Sequence, residues 1–166
     1  MQKPIIIALA TLGLGGCASA YVAPSGADTA MVNFTAKDIG PNNNAYFLLV
    51  KPGPDCKKSV GQSLATLGRA INRDAATEFQ RKVQTGNDIR IYSQWLQAYS
   101  PYGYSTCTVS AGIDLQPGRR YEMSLESGTH CSLHLYDLGA QGGGQPPTEL
   151  PIHSYSVRSS NQLCDL

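Results

Sequence analysis

Apolar and polar residues alternate through much of the second half of the chain. From Cys107 to Leu115 every second residue is apolar, and the same period continues through residues 121–125 and 131–135. A period of two puts one set of side chains on the buried face of a β-strand. Turn residues at 116–118 and 127–129 separate the three segments. The pattern therefore predicts an antiparallel meander of three strands.

Shorter strand signals precede this region. Residues 32–36 alternate, whereas Tyr46–Val50 is apolar throughout and predicts a central strand covered on both faces. Further on, Ile91 and Trp95 share one face of a predicted strand, and Tyr92 lies on the other face.

Residues 56–86 have a less regular pattern. Apolar residues with helical spacing occur here at Val60, Leu64, Leu67 and Ile71. Glycines at 61 and 68 interrupt this spacing, and each disfavours a helix by about 1 kcal/mol relative to alanine. The segment therefore predicts a short helix or an irregular crossover, followed by a strand near residues 77–83. A last strand is predicted near residues 152–157.

About seven or eight short strands with frequent turns predict an all-β fold, a two-sheet antiparallel β-sandwich with an Ig-like or transthyretin-like outline. Composition agrees, since the chain has 17 Gly, 10 Pro and 9 Tyr among 166 residues. Thirteen Lys and Arg oppose 12 Asp and Glu, so no strong net charge favours nucleic acid. The composition excludes a coiled coil, a polytopic membrane protein and a typical DNA-binding domain.

The N-terminus has the features of an export signal. Lys3 precedes a short apolar run that ends at Leu14, well below the ~20 residues of a membrane-spanning helix. The stretch Leu14-Gly15-Gly16-Cys17 resembles the lipobox of bacterial lipoproteins, in which the cysteine becomes the lipidated first residue. An alternative is ordinary cleavage after 18–20 (Ala-Ser-Ala), which would release a soluble protein.

The lipobox interpretation divides the chain into a signal peptide at 1–16, a lipidated cysteine with a flexible tether at 17–29, and a domain at 30–166. It implies attachment to the outer membrane, facing the periplasm, because no aspartate follows Cys17. It also leaves an even number of cysteines, as oxidising compartments favour.

These four cysteines are Cys56, Cys107, Cys131 and Cys164, and none forms a C-x-x-C pair. Two disulfides are the expected state of an exported chain. The alternation places Cys107 and Cys131 on the inward faces of their strands, and both lie near the same end of the predicted meander. Of the three possible pairings, we therefore predict Cys107–Cys131 together with Cys56–Cys164.

Residues capable of catalysis or metal binding do not form a recognised motif. His130 and His134 would stand about 13 Å apart on a strand, too far for one zinc ion, and nothing brings His153 to them. We therefore predict neither a metal site nor a cofactor.

An enzymatic role is not expected either. The chain has no G-x-S-x-G motif, and Glu122 with Glu126, or Asp114 with Glu126, are interpreted as solvated carboxylates. The glycines at 142–144 have no neighbouring lysine to suggest a phosphate loop.

A tyrosine-rich segment is the strongest candidate for recognition. Tyr99, Tyr102 and Tyr104 lie close together and follow Tyr92 and Trp95. Tyrosine combines a large rigid surface with a hydroxyl group, which suits a binding loop. The alternative interpretation is that these rings cover the core beneath a loop.

The chain resembles the small β-sandwich lipoproteins of Gram-negative bacteria. The resemblance rests on the lipobox at Cys17, the opening Tyr21-Val22-Ala23-Pro24, the turn and strand at 115–122, and the strand that follows Cys131. It implies a lipid anchor and a sandwich but supplies no catalytic residues.

We therefore expect a non-enzymatic module of accessory or immunity type that binds an envelope protein. The alternatives are a carrier with a cleft lined by Tyr92, Trp95, Tyr99 and Tyr102, and an envelope hydrolase.

Overall fold

The computed structural model describes residues 19–23, 25–26, 28–37, 43–51, 60–68, 78–99, 103–126, 130–140, 146–159 and 162–165. These residues form twelve strands and no helix, so the all-β class is confirmed. The strands are β1 (Ser19–Ala20), β2 (Thr29–Ala36), β3 (Asn43–Lys51), β4 (Val60–Gly68), β5 (Glu78–Gln84), β6 (Gly86–Tyr99), β7 (Gly103–Leu115), β8 (Arg119–Glu126), β9 (Ser132–Ala140), β10 (Thr148–Leu150), β11 (His153–Ser159) and β12 (Gln162–Asp165).

Two sheets contain these strands, as a β-sandwich requires. The larger sheet has seven strands in the order β1-β4-β3-β6-β7-β11-β12, and the smaller has five in the order β10-β9-β8-β2-β5. The described strands outnumber the seven or eight predicted for two reasons. The short strands β1, β10 and β12 carry no pattern of their own, and β4 was predicted as a helix or a crossover. Two neighbouring pairs, β1 with β4 and β2 with β8, are parallel, so the predicted sandwich is not wholly antiparallel.

The core lies between the inner faces of the sheets. Phe34 of β2 and Phe47 of β3 are fully buried and meet with ring centroids 5.1 Å apart, so each sheet contributes one ring to the same contact. The same cluster includes the inward residues of β7 and β8, such as Ile113 and Met123. Burial of apolar surface in this layer is the main stabilising term.

The short helix or irregular crossover predicted within residues 56–86 is wrong for residues 60–68, which form strand β4. Ala65 pairs with Phe47 and Ser63 pairs with Leu48, so Leu64 is an extra residue in a β-bulge. A bulge changes which face the following residues occupy, and both Leu64 and Leu67 are buried in the core. The bulge therefore produces apolar residues three apart, the same spacing that a helix produces. Ile71 lies outside the described residues.

The predicted three-strand meander is also incorrect. β8 and β9 pair as an antiparallel hairpin in the smaller sheet, but β7 pairs with β6 and β11 in the larger sheet. The turn at 116–118 therefore carries the chain from one sheet to the other. An alternating strand has one buried face in either arrangement, so the period alone does not identify the partner strand.

The segment predicted as a tether is partly folded. Ser19–Ala20 pairs with β4, and the next residue, Tyr21, is buried in the core. Its backbone nitrogen donates to the carbonyl oxygen of Ser63 at 3.1 Å. The ordered domain therefore begins well before residue 30. The strand predicted near 77–83 is confirmed as β5, and the one predicted near 152–157 overlaps β11.

Candidate functional site

The β6–β7 hairpin defines two ends of the sandwich. Gly86 pairs with Leu115 at one end, called the proximal end, and Tyr99 pairs with Gly103 at the other, called the distal end. β1 runs in the same direction as β4 and β6, from proximal to distal. The chain therefore enters the fold from the proximal end.

The tyrosine-rich segment lies at the distal end of this hairpin. Tyr99 is the last residue of β6, and Tyr104 pairs with Ala98. The pairing of β3 with β6 begins at Gln97, so the hairpin continues for two residues beyond it, about 7 Å. Tyr102 lies outside the described residues. The backbone thus brings Tyr99 and Tyr104 together at one end of the molecule.

Trp95 is a core residue. It belongs to the main buried cluster and is only 7% exposed. It pairs across the strands with Cys107. Its indole Nε1 is buried and has no hydrogen-bond partner among the described residues. This position matches the alternative interpretation, in which the ring covers the core, rather than a surface for recognition.

Tyr92 lies on the opposite face of β6. It packs with Val50, Leu48 and Tyr155 in a second apolar cluster, separate from the core. Because Tyr92 and Trp95 point to opposite faces of one strand, they do not line a common cleft. The structure therefore does not bring Tyr92 and Trp95 together in the way that the carrier hypothesis requires.

Cys107 and Cys131 lie at disulfide distance, with Cα atoms 5.7 Å apart. The predicted pair is therefore confirmed, although its setting differs. Cys107 belongs to the larger sheet, and Cys131 immediately precedes β9 of the smaller one, so the bridge joins the two sheets. The predicted partners Cys56 and Cys164 cannot be compared, because Cys56 lies outside the described residues.

Sequence patterns did not indicate a polar cluster on the outer face of the larger sheet. Tyr155 of β11 and the Asp88 carboxylate both lie over Gly112 of β7, where an added Cβ would meet Asp88 and stand 2.8 Å from the tyrosine ring. The tyrosine hydroxyl donates to Asp88, and the Arg90 guanidinium stands 4.2 Å from the ring centroid. Asp88 has a left-handed φ of 54° and its amide donates to Asp114 at 2.8 Å. Only the sheet order brings these residues together.

A basic cavity of about 370 Å³ opens at the proximal end of the smaller sheet. We use this name for the cavity lined by Gly26, Thr29, Ala30, Met31, Gln80, Lys82, Gly118, Arg119 and Arg120. Three of its side chains are cationic and none is acidic. Met31 pairs with Lys82 on one side and with Arg120 on the other, so both cations flank it on neighbouring strands.

The cations of the basic cavity differ in their partners. Arg119 forms an ion pair with Asp137, with Nη2 to Oδ2 at 2.6 Å and Nε to Oδ1 at 3.1 Å. This contact raises the pKa of Arg119. Arg120 places Nη2 at 3.5 Å from the Leu138 carbonyl, while its buried Nε has no hydrogen-bond partner among the residues that the structure describes. Within the described part of the chain, Lys82 forms no ion pair.

The carboxylates considered as acid and base candidates lie apart. Glu126 ends β8 at the distal end and pairs with Lys37, which lowers the pKa of Glu126 and raises that of Lys37. Asp114 lies on the other sheet near the proximal end, where it accepts from Asp88. Glu122 and Glu126 are both half-buried on β8. Asp114 and Glu126 therefore do not form one site.

His134 lies on the outer face of the smaller sheet. Its Nδ1 is 2.7 Å from Glu149 and its Nε2 is 3.0 Å from the Ser132 hydroxyl. His130 and His153 are both exposed. Within the described residues, no three His, Cys, Asp or Glu side chains come together as a metal would require.

Tyr21 connects the beginning of the chain to both sheets. Its hydroxyl accepts from the Gln84 amide at 2.8 Å. Arg81 of β5 donates from Nη1 to the carbonyl oxygens of Tyr21 and Ser63, each at 3.2 Å. The side chain of Arg81 thus holds Tyr21 and β4 together at the edge of the sandwich.

Comparison with known proteins gives no further identification. No model of a protein family matches this sequence, and no curated protein matches it significantly. In the described ranges, no helix is long and apolar enough to cross a membrane.

Proposed function

We propose that this protein is a lipid-anchored binding module of the bacterial cell envelope, attached to the outer membrane through Cys17 and facing the periplasm. The observation that carries the proposal is the burial of Tyr21 only four residues after Cys17. Ser19 is two residues from the lipid and pairs with β4. A lipid on Cys17 would thus hold the proximal end within about 7 Å of its attachment point.

The hydrogen bonds of Tyr21 favour lipidation over ordinary cleavage after residue 20. Such cleavage would remove β1 and convert the Tyr21 amide, which donates to Ser63, into a charged amino group. That group would lie beside the Arg81 guanidinium, which already contacts the carbonyl oxygens of Tyr21 and Ser63. Two positive charges at this half-buried position repel each other, which is destabilising.

Anchoring at the proximal end directs the distal end away from the membrane. The β6–β7 hairpin is 14 and 13 residues long and ends in the tyrosine-rich segment. It spans roughly 40 Å at about 3.3 Å per residue. This arrangement would place the tyrosine-rich segment on the periplasmic side, where we expect an envelope protein to bind it. A module of this kind acts by binding and performs no chemical reaction.

Processing is tested by intact mass and fractionation of the full-length protein. The expected mature chain begins at Cys17, carries acyl groups and sediments with outer membranes. Cys17→Ala should leave the protein unprocessed or soluble, while Ala18→Ser, which keeps the thiol, should behave as wild type. A soluble mature chain that begins at Tyr21 would contradict the anchor.

Partner binding is tested by crosslinking in the native envelope and mass spectrometry of the captured proteins. One stoichiometric partner is expected, and Tyr102→Ala with Tyr104→Ala should abolish its capture without unfolding the domain. Tyr136→Ala provides the control, because Tyr136 lies on the other sheet and stacks on His134. If the Tyr102→Ala and Tyr104→Ala variant still captures the partner and Tyr136→Ala does not, the partner binds the smaller sheet instead.

A further inference from the structure

We propose that the basic cavity is a binding site for a phosphate group, and that Lys82 and Arg120 hold the phosphate. Only the origin of the phosphate depends on the proposed lipid anchor. The site itself follows from the arrangement of β2, β5 and β8, which none of the motifs in the sequence indicates.

The positions of the two cations suit a tetrahedral anion. Neighbouring strands stand about 4.8 Å apart, so Lys82 and Arg120 lie about 10 Å apart at their Cα atoms, on either side of Met31. Both side chains are long enough to meet above Met31 once the Arg120 guanidinium leaves its long contact with Leu138 on β9. A phosphate presents oxygens in several directions and can accept hydrogen bonds from both sides at once. Thr29 and Gln80 line the same cavity and add neutral polar groups.

Arg120 has an unsatisfied donor that an anion would complete. Its Nε is buried and finds no partner in the described part of the chain, and Nη2 makes only a long contact with Leu138. A buried donor without an acceptor is destabilising, and this cost would be relieved if the side chain turned so that Nε donated to an anion in the cavity. A guanidinium binds phosphate through two neighbouring N–H groups, and Nε is one of them.

Asp137 keeps the third cation out of the site. The carboxylate of Asp137 accepts from Nε of Arg119 and from the Gly139 amide at 2.8 Å. Arg119 is therefore a wall of the cavity whose charge is largely neutralised. Lys82 has no such counterion and Arg120 has no ion pair in the described ranges, so these two supply the positive potential.

The position of the cavity suggests where the phosphate comes from. The cavity opens at the proximal end, from which the chain enters the fold, and its volume lies within the range of small-molecule sites. If Cys17 is lipidated, phospholipid headgroups are the phosphates nearest to it. A soluble phosphate monoester has the same chemistry.

The test is calorimetric titration of the full-length protein in micelles of a neutral detergent, with inorganic phosphate and with glycerol 3-phosphate. Both should bind to one site. Lys82→Ala and Arg120→Ala should each weaken binding by about tenfold, as expected for loss of one charge-assisted contact. Lys37→Ala is the matched control, since Lys37 is an exposed lysine at the distal end, and it should bind as wild type.

Two results would overturn the site: no binding of either phosphate by the wild type, or equal binding by wild type and Lys82→Ala. Lys82 is exposed, so its loss leaves the fold intact even if Arg120→Ala unfolds. Adding phosphatidylglycerol to the micelles should displace glycerol 3-phosphate if the source is lipid, while phosphatidylcholine serves as the comparison. Displacement by neither lipid would assign the site to a soluble phosphate.

Failure of the anchor and failure of the site give different results. Cys17→Ala tests attachment alone, because it removes the lipid and leaves the cavity unchanged. If Cys17→Ala changes neither processing nor membrane attachment while the wild type binds phosphate, only the anchor fails. If Cys17→Ala abolishes attachment while the wild type binds no phosphate, only the phosphate site fails.

Discussion

Trp95 and Cys107 face each other across β6 and β7, and the cysteine lies at disulfide distance from Cys131 of the other sheet. The bridge thus links the two layers beside the single tryptophan. A disulfide close to an indole quenches its fluorescence by accepting an electron from the excited ring. The fluorescence of Trp95 is therefore a direct measure of this bridge.

Replacing both bridge cysteines by serine should raise Trp95 fluorescence and lower stability. A bridge that closes 24 residues contributes about 3.5 kcal/mol in the chain-entropy model. Urea unfolding followed by circular dichroism measures the free energy of unfolding, and emission intensity measures the quenching. Unchanged emission in a folded double variant would show that the bridge does not form in solution.

Gly112→Ala should destabilise the domain through Asp88 and Tyr155. The new methyl group would clash with the Asp88 carboxylate and stand 2.8 Å from the tyrosine ring, so both side chains must move from their places over Gly112. We expect a loss of about 1–3 kcal/mol, as for other overpacked sites. In a Tyr155→Ala background the same substitution should cost less, because the ring is gone and the Asp88 carboxylate has lost the hydroxyl that holds it, and a double-mutant cycle measures the difference. Equal costs in both backgrounds would contradict the contact.

The sequence predicted local features such as the inward face of a strand, but it could not predict which strands pair. The inward phases of Cys107 and Cys131 predicted their pairing correctly even though β7 belongs to the other sheet, because both side chains face the core in either arrangement. The period could not decide whether the turn at 116–118 closes a hairpin or crosses between sheets. Leu64 and Leu67 resemble a helical pattern because Leu64 is the extra residue of a β-bulge between Ser63 and Ala65.

The basic cavity could not be predicted from the sequence either, because it also depends on which strands pair. Lys82 and Arg120 are distant in the chain and become neighbours of Met31 only through one antiparallel and one parallel pairing. Lone cations in a strand are ordinarily interpreted as solvated. The tyrosine-rich segment, by contrast, was a contiguous signal, and the structure adds only its position at the distal end.

The ion pair of Lys37 and Glu126 should respond to acid and to salt. Because the hydrogen bond from Lys37 lowers the pKa of Glu126 below 4.5, the pair stabilises the fold above that pH. This contribution is lost as pH falls through the lowered pKa. Glu126→Gln should therefore slightly reduce the melting temperature at pH 7 in low salt and not at pH 2 or in high salt. A difference that persists in acid would contradict the assignment.

Tyr121 should titrate at unusually high pH. Burial raises the pKa of its phenol above 10.0, and its oxygen accepts from the Gln116 amide at 3.0 Å. The unfolded chain loses this proton first, so the free energy of unfolding should fall as pH rises above 10. Tyr121→Phe should lower the free energy of unfolding by about 1 kcal/mol at pH 7. The variant should also lose less stability than the wild type as the pH rises above 10. If the stability of the variant falls just as steeply with pH, groups other than Tyr121 cause the fall.

Arg81→Ala should release the beginning of the ordered chain. The guanidinium holds the carbonyl oxygens of Tyr21 and Ser63, and a hydrogen bond from a charged donor contributes about 1.5–3 kcal/mol. Amide exchange at Tyr21, whose nitrogen donates to Ser63, should become faster, and proteases should remove the preceding residues more readily. Lys82→Ala is the control, because Lys82 is the next residue on β5 and faces the opposite side. Equal exchange at Tyr21 in both variants would show that burial of the tyrosine ring, and not Arg81, holds this segment in place.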